Sequence, residues 1–170
     1  MTQLCELAYK YKTDKCKRIK HPYTQFYYDL LNGSNIKKVL ELGIGDGGSL
    51  RMWRDFFPNA DIYGIDIKKK SIGGKRIKTY ICDETKEKDL LRVIKRIGAD
   101  IDLFIDDASH KVEDQIATCK ILRPILKKAI YIIEDVSYPQ KLQDGLPYKV
   151  EIPVLKDKKY NDDRLAYIRK

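Results

Sequence analysis

The sequence predicts an α/β fold: a doubly wound sheet, mostly parallel, with two helices ahead of it and an antiparallel hairpin at its C-terminal end. Three observations lead there. From residue 36 onward, short apolar runs alternate with stretches of helical periodicity, the pattern of a parallel sheet covered on both faces. A glycine-rich loop, Gly43-Ile44-Gly45-Asp46-Gly47-Gly48, joins the first run to the first of those helices, as in Rossmann-like folds. The last two apolar runs, Val150–Leu155 and Arg164–Ile168, are separated only by a polar turn, whereas a parallel crossover needs a dozen or more residues.

Each element has its own signal. Leu4, Leu7, Ala8 and Tyr11 recur at helical spacing. Pro22 suits a first helical turn, Phe26, Tyr27, Leu30 and Leu31 form the next apolar face, and Asn32-Gly33 ends it. Val39–Leu42 is a strand running into the glycine loop, followed by a helix with Leu50, Trp53 and Phe57 on one face and Pro58 closing it. Ile62–Asp66 and Ile77–Ile81 are the next two strands. Thr85 is placed to cap a helix through Leu90, Leu91, Ile94 and Ile97, which Gly98 stops. Ile101–Ile105 is the fourth strand, Lys111–Leu122 a helix turning Val112, Ile116 and Cys119 inward, and Ile130–Ile133 the fifth strand. The segment 136–149 reads as a short connection to the sixth strand. The expectation is one domain over 1–170, with a helical segment at 1–33 and the Rossmann-like core at 36–170.

Composition bounds the function. The chain has 170 residues, 43% hydrophobic and 35% charged, which suits one folded domain and excludes a disordered tail. No apolar run approaches the roughly 20 residues of a bilayer crossing. The first residues lack the basic and apolar regions of a signal peptide, so a cytoplasmic location is expected. Cys5, Cys16, Cys82 and Cys119 form no C-x-x-C pair and read as buried thiols. The net charge of +9 invites a nucleic-acid reading, but the basic residues lie in short runs interleaved with acids. Neither nucleic acid nor membrane is the expected partner, and self-association stays open.

The glycine loop follows a strand and opens a helix, with Asp66 ending the next strand. That context suits an adenosine-type cofactor, since glycines admit close backbone approach and the acid accepts from ribose hydroxyls. NAD and S-adenosylmethionine fit it equally. Glu41 discriminates between them: a carboxylate before the first glycine would repel a pyrophosphate but suits a sulfonium and an ammonium. The plainer reading gives Glu41 a lysine or helix-dipole partner.

Two further strand ends are acidic. Asp106-Asp107 precedes Ala108-Ser109-His110, and Glu134-Asp135 ends the fifth strand. Carboxylates converging at neighbouring strand ends repel one another unless a cation or protons intervene. Oxygen donors suit Mg²⁺ first. His110, one of two histidines, makes sense beside a metal as a general base, or more plainly as an exposed residue at a helix start.

Val39–Gly45, Ser49–Trp53, Phe57-Pro58-Asn59-Ala60 and Ile62–Asp66 together resemble the class I S-adenosylmethionine-dependent methyltransferases. Among these they look most like the macrolide-sugar O-methyltransferases of the mycinamicin and macrocin type. Tyr11-Lys12-Thr13-Asp14-Lys15, with His21 and Tyr23, resembles that group's N-terminal segment. The resemblance implies a cofactor site of Glu41, Gly43, Gly45, Asp66, Asp83 and Asp106. It also implies a Mg²⁺ site of Asp107, Glu134 and Asp135, with His110 as the base. By residue type alone, Asp83 serves as well as a helix cap. The implied acceptor is a hydroxyl of a sugar or polyol, on a small molecule or a glycan. The chain departs from the group at the short segment 136–149 and at Ala108, where glycine is common. Lys15, Tyr23 and Tyr138 read as acceptor or lid contacts or as ordinary packed and solvated residues. Two other readings are an RNA methyltransferase and an S-adenosylmethionine-binding subunit without turnover.

Overall fold

The computed structural model describes residues 2–169. Seven strands form one sheet in the order β3-β2-β1-β4-β5-β7-β6. They are β1 (Lys38–Leu42), β2 (Asp61–Asp66), β3 (Ile77–Ile81), β4 (Leu103–Asp106), β5 (Ile130–Ile133), β6 (Lys149–Glu151) and β7 (Ala166–Arg169). The first five pair in parallel, while β7 pairs antiparallel with both β5 and β6. The α/β class, the parallel body and the antiparallel end follow the sequence expectation.

Period-2 alternation sorts each strand's side chains onto two faces. On one face Val39, Ile62, Leu103, Ile105 and Ile132 meet α1 (Gln3–Lys10), α2 (Tyr23–Leu31) and α3 (Gly48–Phe56) through Leu4, Tyr27, Leu50 and Trp53. On the other face Leu40, Leu42, Phe104, Tyr131 and Ile133 meet α4 (Glu87–Ile97) and α5 (Val112–Leu122) through Leu90, Ile94, Val112 and Cys119. Two apolar layers thus hold the sheet between them, and the carboxyl ends of β1, β4 and β5 open side by side.

Three local expectations change. A sixth helix, α6 (Pro139–Gly145), occupies the segment read as a plain connection. Proline at its first position favours the helical start, and Leu142 is its one buried residue, so it carries little periodic signal. The last two strands are shorter than expected, and residues 152–165 join them, so no tight turn exists there. The fourth helix begins at Glu87 with Lys86 as cap, while Asp83 Oδ1 accepts from the Thr85 N–H at 3.1 Å and from the Thr85 hydroxyl at 2.6 Å.

Candidate active site

The strand ends converge through backbone bonds. Gly43 N–H donates to Ile65 O (2.9 Å), Asp107 N–H to Leu42 O (3.0 Å) and Glu134 N–H to Asp106 O (2.8 Å), holding β2, β1, β4 and β5 in register beyond their last paired residues. Gly43 has φ +75°, and a Cβ on it would lie 1.9 Å from Asp107 O, so the glycine loop and the β4 end touch backbone to backbone. Beside this contact opens a cleft of about 640 Å³ lined by Gly43, Gly45, Asp66, Asp107 and His110, among others. It lies where the strand order reverses between β1 and β4, the place where doubly wound sheets take ligands.

Alternation decides which acids meet. Glu41, Asp107 and Glu134 project to the face of α1–α3, and a buried lysine reaches all three. Lys15 Nζ lies 2.6 Å from Asp107 Oδ2, 2.7 Å from Glu134 Oε2 and 3.2 Å from Glu41 Oε1. Only 1% of Lys15 is exposed. Its backbone is fixed too, with Lys15 O accepting from Tyr23 N–H and Thr24 N–H at the start of α2. The Trp53 indole N–H donates to Glu41 Oε2 (2.9 Å) and the Tyr27 hydroxyl to Glu134 Oε1 (2.5 Å). Burial alone would strip Lys15 of its proton, but Asp107, Glu134 and Glu41 outweigh it and hold its pKa well above the ordinary value. Burial pushes Glu41 and Glu134 up. Burial also works to raise Asp107, yet Lys15 and His110 beside it hold it below the usual range. One ammonium among three carboxylates leaves the cluster short of positive charge.

Among the described residues, one group of three ligating side chains comes together: Asp107, His110 and Asp135, with one donor atom each within 4.8 Å of the others. His110 Nε2 is 3.2 Å from Asp107 Oδ1, and Nδ1 is 3.5 Å from Asp135 Oδ2. His110 and Asp135 both adopt left-handed backbone, φ 58° and 52°, a conformation that side chains rarely accept without a local reason. The hydrogen bond to Asp107 raises His110 above its ordinary pKa, and burial raises Asp135. The Tyr23 hydroxyl donates to Asp135 Oδ1 (2.5 Å). Tyr23 stacks on His21, at 4.9 Å between ring centroids and 7° between planes. His21 Nδ1 in turn meets Asp163 Oδ1 at 2.5 Å.

The expected residues therefore separate into groups. Gly43, Gly45 and Asp66 line the cleft together with Asp107 and His110. Glu41 lies beneath it, engaged by Lys15 and Trp53. Asp106 points to the opposite sheet face; its Oδ2 is buried without a partner, and burial, with Glu84 adding repulsion, pushes it up to about 7. Asp83 caps its turn with Thr85 and lies outside the cleft lining. Glu134 is spent on Lys15 and Tyr27 and does not join the Asp107–His110–Asp135 group. Tyr138 is exposed. Sequence reasoning gave Lys15 no charge role; its one signal was its place in the segment that also carries His21 and Tyr23.

Comparison with known proteins adds to this geometry. No protein-family model matches the chain. Over 108 residues, 58% of this chain, it is 39% identical to the mycinamicin VI 2''-O-methyltransferase of Micromonospora griseorubida. It has the same identity over the same length to the demethylmacrocin O-methyltransferase of Streptomyces fradiae. Its fold superposes on MycE methyltransferase of the mycinamycin biosynthetic pathway, solved in complex with Mg, SAH and mycinamycin VI, with a TM-score of 0.79, 27% identity and 98% of this chain covered. This chain resembles the macrolide-sugar O-methyltransferases. It spans 27% of the length of those two curated relatives and 54% of the solved MycE chain. No helix among the described residues is long and apolar enough to cross a membrane.

Proposed function

We propose that this chain is an S-adenosylmethionine-dependent O-methyltransferase that uses a divalent cation, Mg²⁺ first, and acts on a hydroxyl of a sugar or polyol carried by a small molecule or a glycan. The observation that carries this reading is the meeting of Asp107, His110 and Asp135, the first two of which line the glycine-loop cleft. Their chemistry fits a hard cation: two carboxylates, with an imidazole adjacent and too few positive charges nearby to neutralise the acids. The glycine loop fits a nucleoside cofactor, since a Cβ at Gly45 would meet open space on the cleft side and Asp66 stands at the end of β2.

In this reading Gly43, Gly45 and Asp66 hold the cofactor, Asp107 and Asp135 hold the cation, and Glu41 is fixed at the end of β1 by Lys15 and Trp53. When bound, S-adenosylmethionine would supply an electrophilic methyl group, and the cation would lower the pKa of the acceptor hydroxyl. His110 does the proton work. With Nε2–H donating to Asp107 Oδ1, Nδ1 is the nitrogen left to receive the hydroxyl proton. Tyr23 and His21 keep Asp135 in place while this happens. Positioning plus removal of one proton is all the side chains need to provide.

The test is release of S-adenosylhomocysteine from S-adenosylmethionine with a panel of glycosylated and free polyols, with EDTA and with Mg²⁺ restored. Turnover that needs Mg²⁺ and vanishes in Asp107→Asn and Asp135→Asn, with S-adenosylhomocysteine affinity kept, supports the reading. Turnover indifferent to EDTA, or preferred activity on RNA, refutes it.

A further inference from the structure

We infer that Cys5 and Cys16 are a covalent modification site: a buried dithiol that a low-molecular-weight disulfide oxidises to an intrachain disulfide, tying α1 to the turn that carries Lys15. It is independent of the methyl-transfer reading above.

Cys5 lies in the first turn of α1 and Cys16 between α1 and α2, 11 positions on. Their sulfurs are 3.3 Å apart, in the apolar layer that also holds Leu4, Ala8 and Tyr23. A disulfide bond is about 2.0 Å long, so the two atoms need close by only about 1.3 Å. The other two thiols, Cys82 and Cys119, belong to the apolar layer on the far face of the sheet, which separates them from this pair. Reach makes Cys5 the first to react. It borders a cleft of about 500 Å³ with Lys17, Pro22, Phe26 and Leu155. Its N–H is held by the Thr2 cap at a helix end, where local opening costs least. Cys16 is fully buried, and burial pushes its thiol up although Arg18 works the other way. The exchange then runs in two steps. Cys5, as thiolate, attacks one sulfur of the small disulfide, releasing one thiol and leaving a mixed disulfide. Cys16, its proton lost to solvent, attacks the Cys5 sulfur and expels the second thiol. Two protein thiols are oxidised and one small disulfide is reduced to two thiols, so protons and electrons balance. Cys16 O accepts from the Ile19 and Lys20 N–H groups at 2.8 and 2.9 Å, and the residue before it is Lys15. The new bond therefore fixes α1 against the turn that delivers Lys15 to Asp107 and Glu134.

The test incubates the full chain with oxidised and reduced glutathione at about pH 8, quenches with acid and maps the product with trypsin, which cuts after Lys10, Lys15 and Lys17. We expect two of the four thiols to disappear, residues 1–10 to stay joined to residues 16–17, and dithiothreitol to restore all four. Closing this loop removes freedom from the unfolded chain, so the oxidised protein should melt about 5 °C or more above the reduced one. Cys5→Ala and Cys16→Ala should each lose both the linked peptide and the gain in Tm. Four thiols still free when a denatured sample treated in parallel has oxidised would overturn the inference. So would a linkage that includes Cys82 or Cys119, or a glutathione adduct on Cys5 that Cys16 does not displace. A Cys5–Cys16 disulfide that leaves Tm unchanged or lower overturns the clamp. If the alanine variants fail to fold, the wild-type map and melts decide alone.

Discussion

Replacing Asp163 by alanine tests how the 152–165 connection is tied to the site. The Asp163 side chain is fully buried. Its Oδ2 accepts from the Lys159 and Tyr160 backbone N–H groups, both at 2.6 Å, and its Oδ1 meets His21 Nδ1 at 2.5 Å. Hydrogen bonds to a charged group contribute about 1.5–3 kcal/mol each, and a buried donor left bare costs about 1–3 kcal/mol. Tyr160 is half exposed and Lys159 exposed, so water can replace part of what those two N–H groups lose; His21 has no such relief. The net cost for Asp163→Ala is then about 2–4 kcal/mol. For a chain of this size that lowers Tm by roughly 4–16 °C. Asp163→Asn keeps an acceptor for the two N–H groups but loses the charge, so its loss should be about half as large. Burial works to raise the Asp163 pKa, but Tyr160, His21 and Lys159 outweigh it and hold it below the ordinary carboxylate value. A depressed folded-state pKa stabilises above the unfolded value near 3.9, and that contribution is lost as pH falls through the folded value. The gap between wild type and Asp163→Asn should therefore be full at about pH 6–7 and close below about pH 4. Thermal melts followed by circular dichroism across that range measure it. An Asp163→Ala protein within about 0.5 kcal/mol of wild type at neutral pH would refute the reasoning.

Two other predictions separate packing from chemistry. Gly43→Ala should give no folded protein, because its Cβ would sit 1.9 Å from a backbone oxygen; Gly45→Ala meets nothing within 4 Å and should lose only about 1–2 kcal/mol for its φ of +46°, as melts of the two will show. His110→Gln should lower turnover by about 10²–10⁴-fold with S-adenosylhomocysteine affinity kept. Because Asp107 raises the His110 pKa, the acid limb of the wild-type rate profile should lie above about pH 6.5. The same raised value means His110 stabilises the fold fully below about pH 6.5 and loses that contribution as pH rises through the folded value, so the stability deficit of His110→Gln should fade as pH rises above that range.

Much of the frame was legible because apolar runs and their acidic ends are local signals. Asp66, Asp106-Asp107 and Glu134-Asp135 each close a strand. Lys15 was not legible in the same way. It is one of 34 basic residues, and the two acids it donates to lie 92 and 119 positions away, so only the folded sheet reveals those contacts. Glu134 is the matching case: its type and position suit a metal ligand, and the lysine that reaches it in the fold leaves no trace in the sequence nearby. Helix α6 escaped because a two-turn helix with one buried leucine has no periodicity to detect. Asp83 does not cap α4, whose cap is Lys86; its carboxylate holds the turn before the helix through Thr85 and pairs with Lys86 Nζ at 3.1 Å.

The distance along the chain between Lys15 and Glu134 also bears on how the protein is made. Lys15 leaves the ribosome 119 residues before its last partner does, which at 5–20 residues per second is roughly 6–24 s of synthesis. Through that interval the ammonium waits in water, fully hydrated, and a nascent chain stopped short of β5 has no closed acid cluster to offer. The centre is therefore assembled only when the sheet is almost complete, so that translation itself sets the order in which its charges meet.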